Sequence, residues 1–332
     1  MRQNLDKSRI QGYHAVRAPP LGAFAISWSM CKKMTLSLDH IIETQLSKAN
    51  TSLGELLGAE VILLRSPLLI GVDDDVRRCV ESLVAQNQTR TGRLCVVLET
   101  NGGFIEIVER IHNVFRRHYT EVVFVIPNFA YSAGTVLVLS GDDIYMDYYS
   151  VLGPIDPQIS SESGDMVPGI GYLVKYNQLL ETINNDPTGV STRAEMSLLI
   201  SKFDPARLFF VEQARDHAIE LLKEWLPKYK FKDWEQTETN AHAVTEEKKR
   251  ERASEIANIL GNPQRWHSHG RGISIRELES EEIKLKINNF SYDQTLNSAI
   301  REYYNLIMDY FLVKTSTQHF IHSRLGARRI HA

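Results

Sequence analysis

From about residue 60 the apolar positions fall into short continuous runs alternating with stretches of helical spacing. Residues 61–64 form an apolar strand pattern that residues 68–72 extend beyond Arg65. Asp73, Asp74 and Asp75 then open a helix, their carboxylates set against the positive end of its dipole. Val76, Cys79, Val80, Leu83 and Val84 keep helical spacing behind them. Residues 94–98 are an unbroken apolar run of the kind buried on both faces of a sheet. A second amphipathic helix follows, with Phe104, Ile107, Val108, Ile111, Val114 and Phe115 along one side. Residues 122–126 give another buried strand, 133–139 a buried helix, and 144–146 a short strand. Strands alternating with helices through short turns predict an α/β core, its strands parallel and its helices crossing over.

The later chain reads as mostly helical. Residues 206–225 are strongly periodic, whereas 236–252 are polar and charge-rich, with "EEKKRER" a solvated helix start. That helix runs on to Leu260 and stops at Gly261-Asn262-Pro263. Ser274 and Glu277 have the spacing of a capping box. Residues 1–33 lack periodicity, and Met34 opens a more ordinary sequence. The expected division is an N-terminal extension (1–54), an α/β core (55–185), a helical extension whose last part packs back on the core (186–315), and a loosely ordered tail (316–332).

Composition narrows the function. The 332 residues are 43% hydrophobic and carry a net charge of −3, enough for a large core and without the basic footprint of a nucleic-acid binder. Cys31, Cys79 and Cys95 have no metal-ligand spacing. Cys79 and Cys95 read as small buried hydrophobes of a cytoplasmic, reducing compartment. Residues 122–141 are uncharged and close in length to a bilayer span, but Pro127-Asn128 interrupts them. Two buried elements joined by a turn account for them better than a membrane span; peripheral membrane association stays open. No secretory leader is expected.

Two turns, each following a buried strand, carry the candidate chemistry, since open α/β sheets place their sites at strand C-termini. At Asn101-Gly102-Gly103, two glycines leave backbone N–H groups unshielded, as an oxyanion hole requires. A tight turn alone would use the same residues. At Tyr131-Ser132-Ala133-Gly134 a serine opens a helix, a common capping position. The same placement exposes a nucleophile to the helix dipole, with the Ala133 N–H facing the same oxyanion. The G-x-S-x-G elbow of ordinary α/β-hydrolases is absent.

Together these turns resemble the Clp protease/crotonase fold. The stretch "YSAGTVLVLSGDDIYMDYYSVLGPIDPQI" is very similar to the serine dehydrogenase proteinase family, relatives of signal peptide peptidase A. Its Ser-Ala-Gly turn, its Asp-x-Ile-x-Met-Asp strand and its loop from Ser150 through Gly153, Asp156 and Gln158 all match that family's pattern. "RWHSHGRGISIRELESEEIKLKI" resembles the family's closing segment. The resemblance implies a serine peptidase acting on peptides or proteins without a cofactor, and a homo-oligomer. It makes Ser132 the nucleophile and places Gly102, Gly103 and Ala133 around the oxyanion. Clp proteases draw their base from a histidine near the loop that here holds no histidine. Signal peptide peptidase relatives use a downstream lysine, which points to Lys175. Desolvation among Ile170, Leu173 and Leu179 would free its amine for use as a base; the alternative is a lysine reaching solvent from an amphipathic helix. Asp156 and His269 are secondary candidates, Asp156 also as a stabiliser of its own loop. His267 and His269 alone make a weak metal site, and none is expected. A catalytically silent peptide-binding or assembly module is the alternative function. Acyl-CoA chemistry on the same fold would need no serine, and the Ser-Ala-Gly match argues against it.

Overall fold

The computed structural model describes residues 37–86, 91–155, 157–160, 166–185, 190–237 and 242–330. Residues 42–332 make one compact unit; of the other unit, 1–41, only 37–41 are described. In chain order the elements of the core are α1 (Leu38–Leu57), β1 (Glu60–Arg65), α2 (Val72–Gln86), β2 (Arg93–Glu99), α3 (Ile105–His118), β3 (Glu121–Val125), β4 (Phe129–Ala130), α4 (Ala133–Leu139), β5 (Asp143–Met146) and β6 (Val151–Leu152). A short hairpin, β7 (Gln158–Ser160) with β8 (Met166–Pro168), leads into α5 (Gly169–Asn184), α6 (Val190–Lys202) and α7 (Pro205–Trp225). After a π-helical turn at Leu226–Lys230 come α8 (Glu246–Leu260), α9 (Pro263–Trp266), α10 (Ile275–Leu278), β9 (Asn288–Asn289), α11 (Gln294–Met308), β10 (Phe320–Ser323) and β11 (Gly326–Arg329).

Among the described residues, seven strands form the main sheet in the order β11-β10-β1-β2-β3-β5-β9. β1, β2, β3, β5 and β9 run parallel, as the alternation of strands and helices implies. Because side chains alternate across a strand, each central strand feeds two cores. Ile62, Val96 and Phe124 stand abreast on one face, and Leu63, Val97 and Val125 on the other. The first face is covered by α2, α3, α4, α7 and α8, and the second by α1 and α11. Each fully buried Leu, Ile or Phe in these layers contributes about 1.5–3 kcal/mol relative to exposure. Cys79 and Cys95 are buried as expected, and that burial pushes their thiols up to about 11 and about 12.

Two expectations change. Residues 68–72 do not lengthen β1: Leu68 turns to bridge Gly103, and Val72 begins α2. The tail joins the sheet, β10 pairing antiparallel with β1 and β11 with β10, so the sheet is mixed at one edge. Only Phe320 and Ile321 are apolar in β10, too little local pattern to mark a strand. Its polar residues are buried because tertiary partners exist: His322 Nδ1 lies 2.7 Å from the Tyr303 hydroxyl, which accepts from Asn50 Nδ2 at 3.0 Å. The pairing also covers the β1 edge, which would otherwise expose a row of unpaired backbone groups. The helical extension packs on the core: Ala218, Leu221, Trp225, Ile256 and Leu260 share one apolar cluster with Ile62 and Phe124. The capping box at α10 forms as read, Glu277 Oε2 accepting from the Ser274 N–H at 2.8 Å.

The uncharged stretch 122–141 resolves into β3, β4 and α4. Among the described residues no helix is long and apolar enough to cross a membrane. A small ribbon rises from the strand ends: β4 pairs with β6, Thr100 bridges Ala130, and Leu152 bridges Ile273. This ribbon places the glycine turn and the serine turn side by side.

Candidate active site

Ser132 sits between β4 and α4 with φ 53° and ψ −121°. A non-glycine residue in this region is strained, by about 1–3 kcal/mol, and persists only where its surroundings hold it. The holding bonds are local. The Ser132 carbonyl accepts from the Thr135 N–H at 2.8 Å, and the Tyr131 carbonyl accepts from the Gly134 N–H at 2.8 Å. The serine hydroxyl makes no capping bond, so the capping role open to it in the sequence is not the one it performs. α4 itself is buried throughout and carries no charge, so it anchors the turn from within the core.

The glycine turn reaches the serine directly. Gly102 has φ 93°, and a Cβ there would lie 2.7 Å from the Tyr131 carbonyl oxygen, 2.8 Å from Ser132 Cβ and 3.2 Å from the Ala133 nitrogen. Only a residue without a side chain permits that approach. The turn is held from its other side by Leu68, whose N–H donates to the Gly102 carbonyl at 2.8 Å and whose carbonyl accepts from the Phe104 N–H at 2.9 Å. The strand-edge backbone beside the turn is thus already paired there. The three candidate donors differ. The Gly102 N–H donates to Thr100 Oγ1 at 3.1 Å, whereas those of Gly103 and Ala133 have no acceptor among the described residues.

A cavity of about 230 Å³ opens beside Ser132. Leu69, Phe104, Ile105, Val136 and Ile155 form most of its apolar wall, and Asn101 and Glu106 supply polar groups. α7 closes it with Phe210, Ala214 and Ala218, spaced one helical turn apart. α7 starts at Pro205 behind the Asp204 cap, whose carboxylate accepts from the Ala206 N–H at 2.9 Å. On the other flank Tyr131 packs on Phe129, ring centroids 5.2 Å apart, and burial followed by the neighbouring Tyr149 pushes its phenol up. The loop after β6 is tied to the serine helix by buried Thr135. Its hydroxyl lies 2.9 Å from the Ala130 carbonyl and 2.8 Å from the Gly153 carbonyl, and it accepts from the Gly153 N–H at 3.0 Å. Gly153 fits only because it lacks a side chain: a Cβ would stand 2.3 Å from the Tyr131 ring.

The structure brings Ser132, Gly102, Gly103 and Ala133 together. Lys175 lies on α5, where its side chain is exposed and its Nζ donates to Gln178 Oε1 at 3.3 Å. The desolvation expected for it is therefore not found: of its apolar neighbours Leu173 is buried and Leu179 half-buried. His269 is half-buried and His267 exposed, in the turn after α9. Asp156 lies outside the described residues. Among the described residues no group of three His, Cys, Asp or Glu is placed to hold a metal. Sequence reasoning missed two contributors, Thr100 and α7. Thr100 immediately precedes the glycine turn and could have been read with it; Phe210, Ala214 and Ala218 of α7 form a stripe at helical spacing that also describes ordinary packing.

Residues 70–175, about a third of the chain, match the family model described as ClpP-like SDH-type serine proteinase. This is the family that the motifs between Ser132 and Gln158 resemble. Two uncharacterized proteins of Methanocaldococcus jannaschii are similar in sequence. One is 30% identical over 91 residues, covering 27% of this chain and 30% of the relative. The second is 36% identical over 64 residues, covering 19% and 22%. The chain thus matches less than a third of either relative's length. Among solved structures, a serine-to-alanine mutant of the 1510-N membrane-bound stomatin-specific protease aligns with a TM-score of 0.29 and 15% identity, over 49% of this chain and 83% of that one. A lysine-to-alanine mutant of the same protease, in complex with a substrate peptide, aligns with a TM-score of 0.29 and 16% identity, over 49% and 78%.

Proposed function

We propose that the protein is a serine peptidase in which Ser132 attacks the carbonyl carbon of a peptide bond. The observation that carries this reading is the strained backbone of Ser132 at the mouth of an apolar cavity, with its hydroxyl uncapped and, beside it, two N–H groups that have no acceptor among the described residues. The family match over residues 70–175 supports the same chemistry.

In this reading Lys175 is the general base. It takes the Ser132 proton as the Oγ–carbon bond forms, and the carbonyl electron pair moves onto oxygen. The Gly103 and Ala133 N–H groups, which have no acceptor among the described residues, stabilise that oxyanion. Gly102 contributes its lack of a side chain, which lets the two turns meet. Lys175 then returns the proton to the leaving amine, and water hydrolyses the acyl-serine. For this cycle Lys175 exchanges its Gln178 contact for Ser132 and is shielded from water by the bound peptide. Substrates are peptides or proteins, and the protein self-associates. His269 is the alternative base.

The exposure of Lys175 favours a second reading, in which the same site holds a peptide without cleaving it. A fluorophosphonate separates the two. Labelling of wild type at Ser132 and none of Ser132→Ala supports the peptidase; no labelling at any pH removes it in favour of the silent module.

A further inference from the structure

Between the two turns lies Thr100, a residue that the cycle above does not use. It is buried, 2% exposed, and its main chain is fully committed. Its N–H donates to the Phe129 carbonyl at 3.2 Å, and its carbonyl accepts from the Tyr131 N–H at 2.9 Å. Thr100 is thereby stitched to both residues flanking Ala130, its bridge partner, immediately before Ser132. Its side chain faces two ways. The hydroxyl accepts from the Gly102 N–H at 3.1 Å. The methyl group fills the space beside the first turn of α4, where a Cβ on Gly134 would come within 2.3 Å of Thr100 Cγ2.

The consequence follows from counting donors. The glycine turn offers two adjacent N–H groups, and because neither residue has a Cβ its peptide planes have more conformations open to them than any other residue pair would allow, within the hold of Leu68. A buried N–H must find an acceptor, and losing one costs about 1–3 kcal/mol. With Thr100 Oγ1 in place, the Gly102 N–H is satisfied inward and the Gly103 N–H is left without a partner among the described residues. Without that oxygen the Gly102 N–H is left buried and unsatisfied, and only the Leu68 bonds and the contacts with Tyr131 and Ser132 still oppose a shift of the turn. We propose that Thr100 is a positioning residue that fixes which glycine N–H is presented beside Ser132. The role rests on the peptidase reading. Thr100 touches no reacting atom; it acts through Gly102 and Gly103.

Two substitutions separate positioning from packing. Thr100→Val keeps the shape and the buried methyl but removes the acceptor, and Thr100→Ser keeps the acceptor but removes the methyl. The probe is diisopropyl fluorophosphate, whose phosphoryl oxygen uses the same donors as a peptide oxyanion. For T100V we expect the Ser132 phosphorylation rate to fall about 10- to 100-fold, the range for a displaced or missing oxyanion donor. For any fluorogenic peptide that wild type cleaves, kcat falls with it while KM stays within about twofold. T100S stays within about threefold of wild type in both. Amide exchange at Gly102, read by NMR, accelerates in T100V and not in T100S. A T100V protein labelled at the wild-type rate, or one whose KM rises while kcat holds, overturns the proposal. So does equal loss in T100V and T100S, which would mean packing. A wild-type Ser132 that never reacts removes the peptidase reading and the catalytic sense of Thr100 with it. A reactive wild type with an indifferent T100V removes Thr100 alone.

Discussion

Gly102 and Ser132, in turns that follow different strands, approach so closely that a methyl group on Gly102 would sit 2.8 Å from Ser132 Cβ. The strained serine backbone and the left-handed glycine are two halves of one packing solution. Neither turn can relax without moving the other.

Gly102→Ala tests that coupling. The substitution places a Cβ against the Tyr131 carbonyl at 2.7 Å and demands a positive φ of alanine. We expect a stability loss of about 1–3 kcal/mol by urea denaturation. We also expect Ser132 labelling to slow by about 100-fold or more in the protein that remains folded. A folded Gly102→Ala variant labelled at the wild-type rate would show that the contact does not govern the serine.

Thr135→Val examines the other side of the turn. It keeps the shape of a fully buried residue but removes the hydroxyl that links Ala130 and Gly153. The Gly153 N–H is left without its acceptor, at an expected cost of about 1–3 kcal/mol. Peptide cleavage is expected to weaken because the Ile155 wall of the cavity hangs from Gly153. Thr135→Ser should recover most of both losses. Chemical denaturation and peptide turnover of the pair decide it, and equal behaviour of Val and Ser would count against the hydroxyl.

The base is tested by Lys175→Ala against His269→Ala. Lys175 is exposed, so its removal is expected to leave the melting temperature within about 1 °C of wild type while hydrolysis drops about 100-fold or more. His269→Ala is expected to retain hydrolysis. Full activity of Lys175→Ala with loss in His269→Ala would transfer the role to the histidine.

Acid stability should depend on His322. Burial lowers its pKa from 6.5 to about 4, so the folded protein keeps the ring neutral where the unfolded chain would protonate it. The unfolded state binds more protons between those values, so the contribution is intact above pH 6.5 and is lost as pH falls through about 4. The shift corresponds to roughly 3 kcal/mol across that window. His322→Gln is expected to be less stable than wild type at pH 7, with the gap narrowing toward pH 4. Parallel stability curves for the two proteins would show that His322 does not titrate with unfolding. His112, stacked on Trp225 at 4.0 Å and lowered to about 3 by burial and then by Arg116 and Lys228, acts in the same direction.

Much of the fold is legible along the chain. The runs at 94–98 and 122–126 are strands, the spaced positions of α2 and α3 face the core, and Ser274 with Glu277 caps α10. The two turns stand out because glycine and serine are chemically particular where the pattern breaks. Less legible were β10, with two apolar residues, and the stretch 68–72, whose apolar run became a bridge and a helix start. Lys175 lies in an apolar helical pattern, yet α5 leaves it exposed and bonded to Gln178.

The chain alone therefore determined which residues are apolar on which period, where the backbone turns, and which side chains could react. These are local properties, set by sterics and by a repeat of two or 3.6 residues. Only the tertiary structure decided who meets whom. It seated Gly102 against Ser132, spent the Gly102 N–H on Thr100, closed the cavity with α7 and gave β1 its partner β10. Periodicity states that a face is buried but not what covers it, because contacts distant in sequence are chosen by packing and hydrogen-bond satisfaction across the whole core. For Ser132, the sequence supplied the hydroxyl, and the fold supplied its strained seat and the backbone N–H groups of Gly103 and Ala133 beside it.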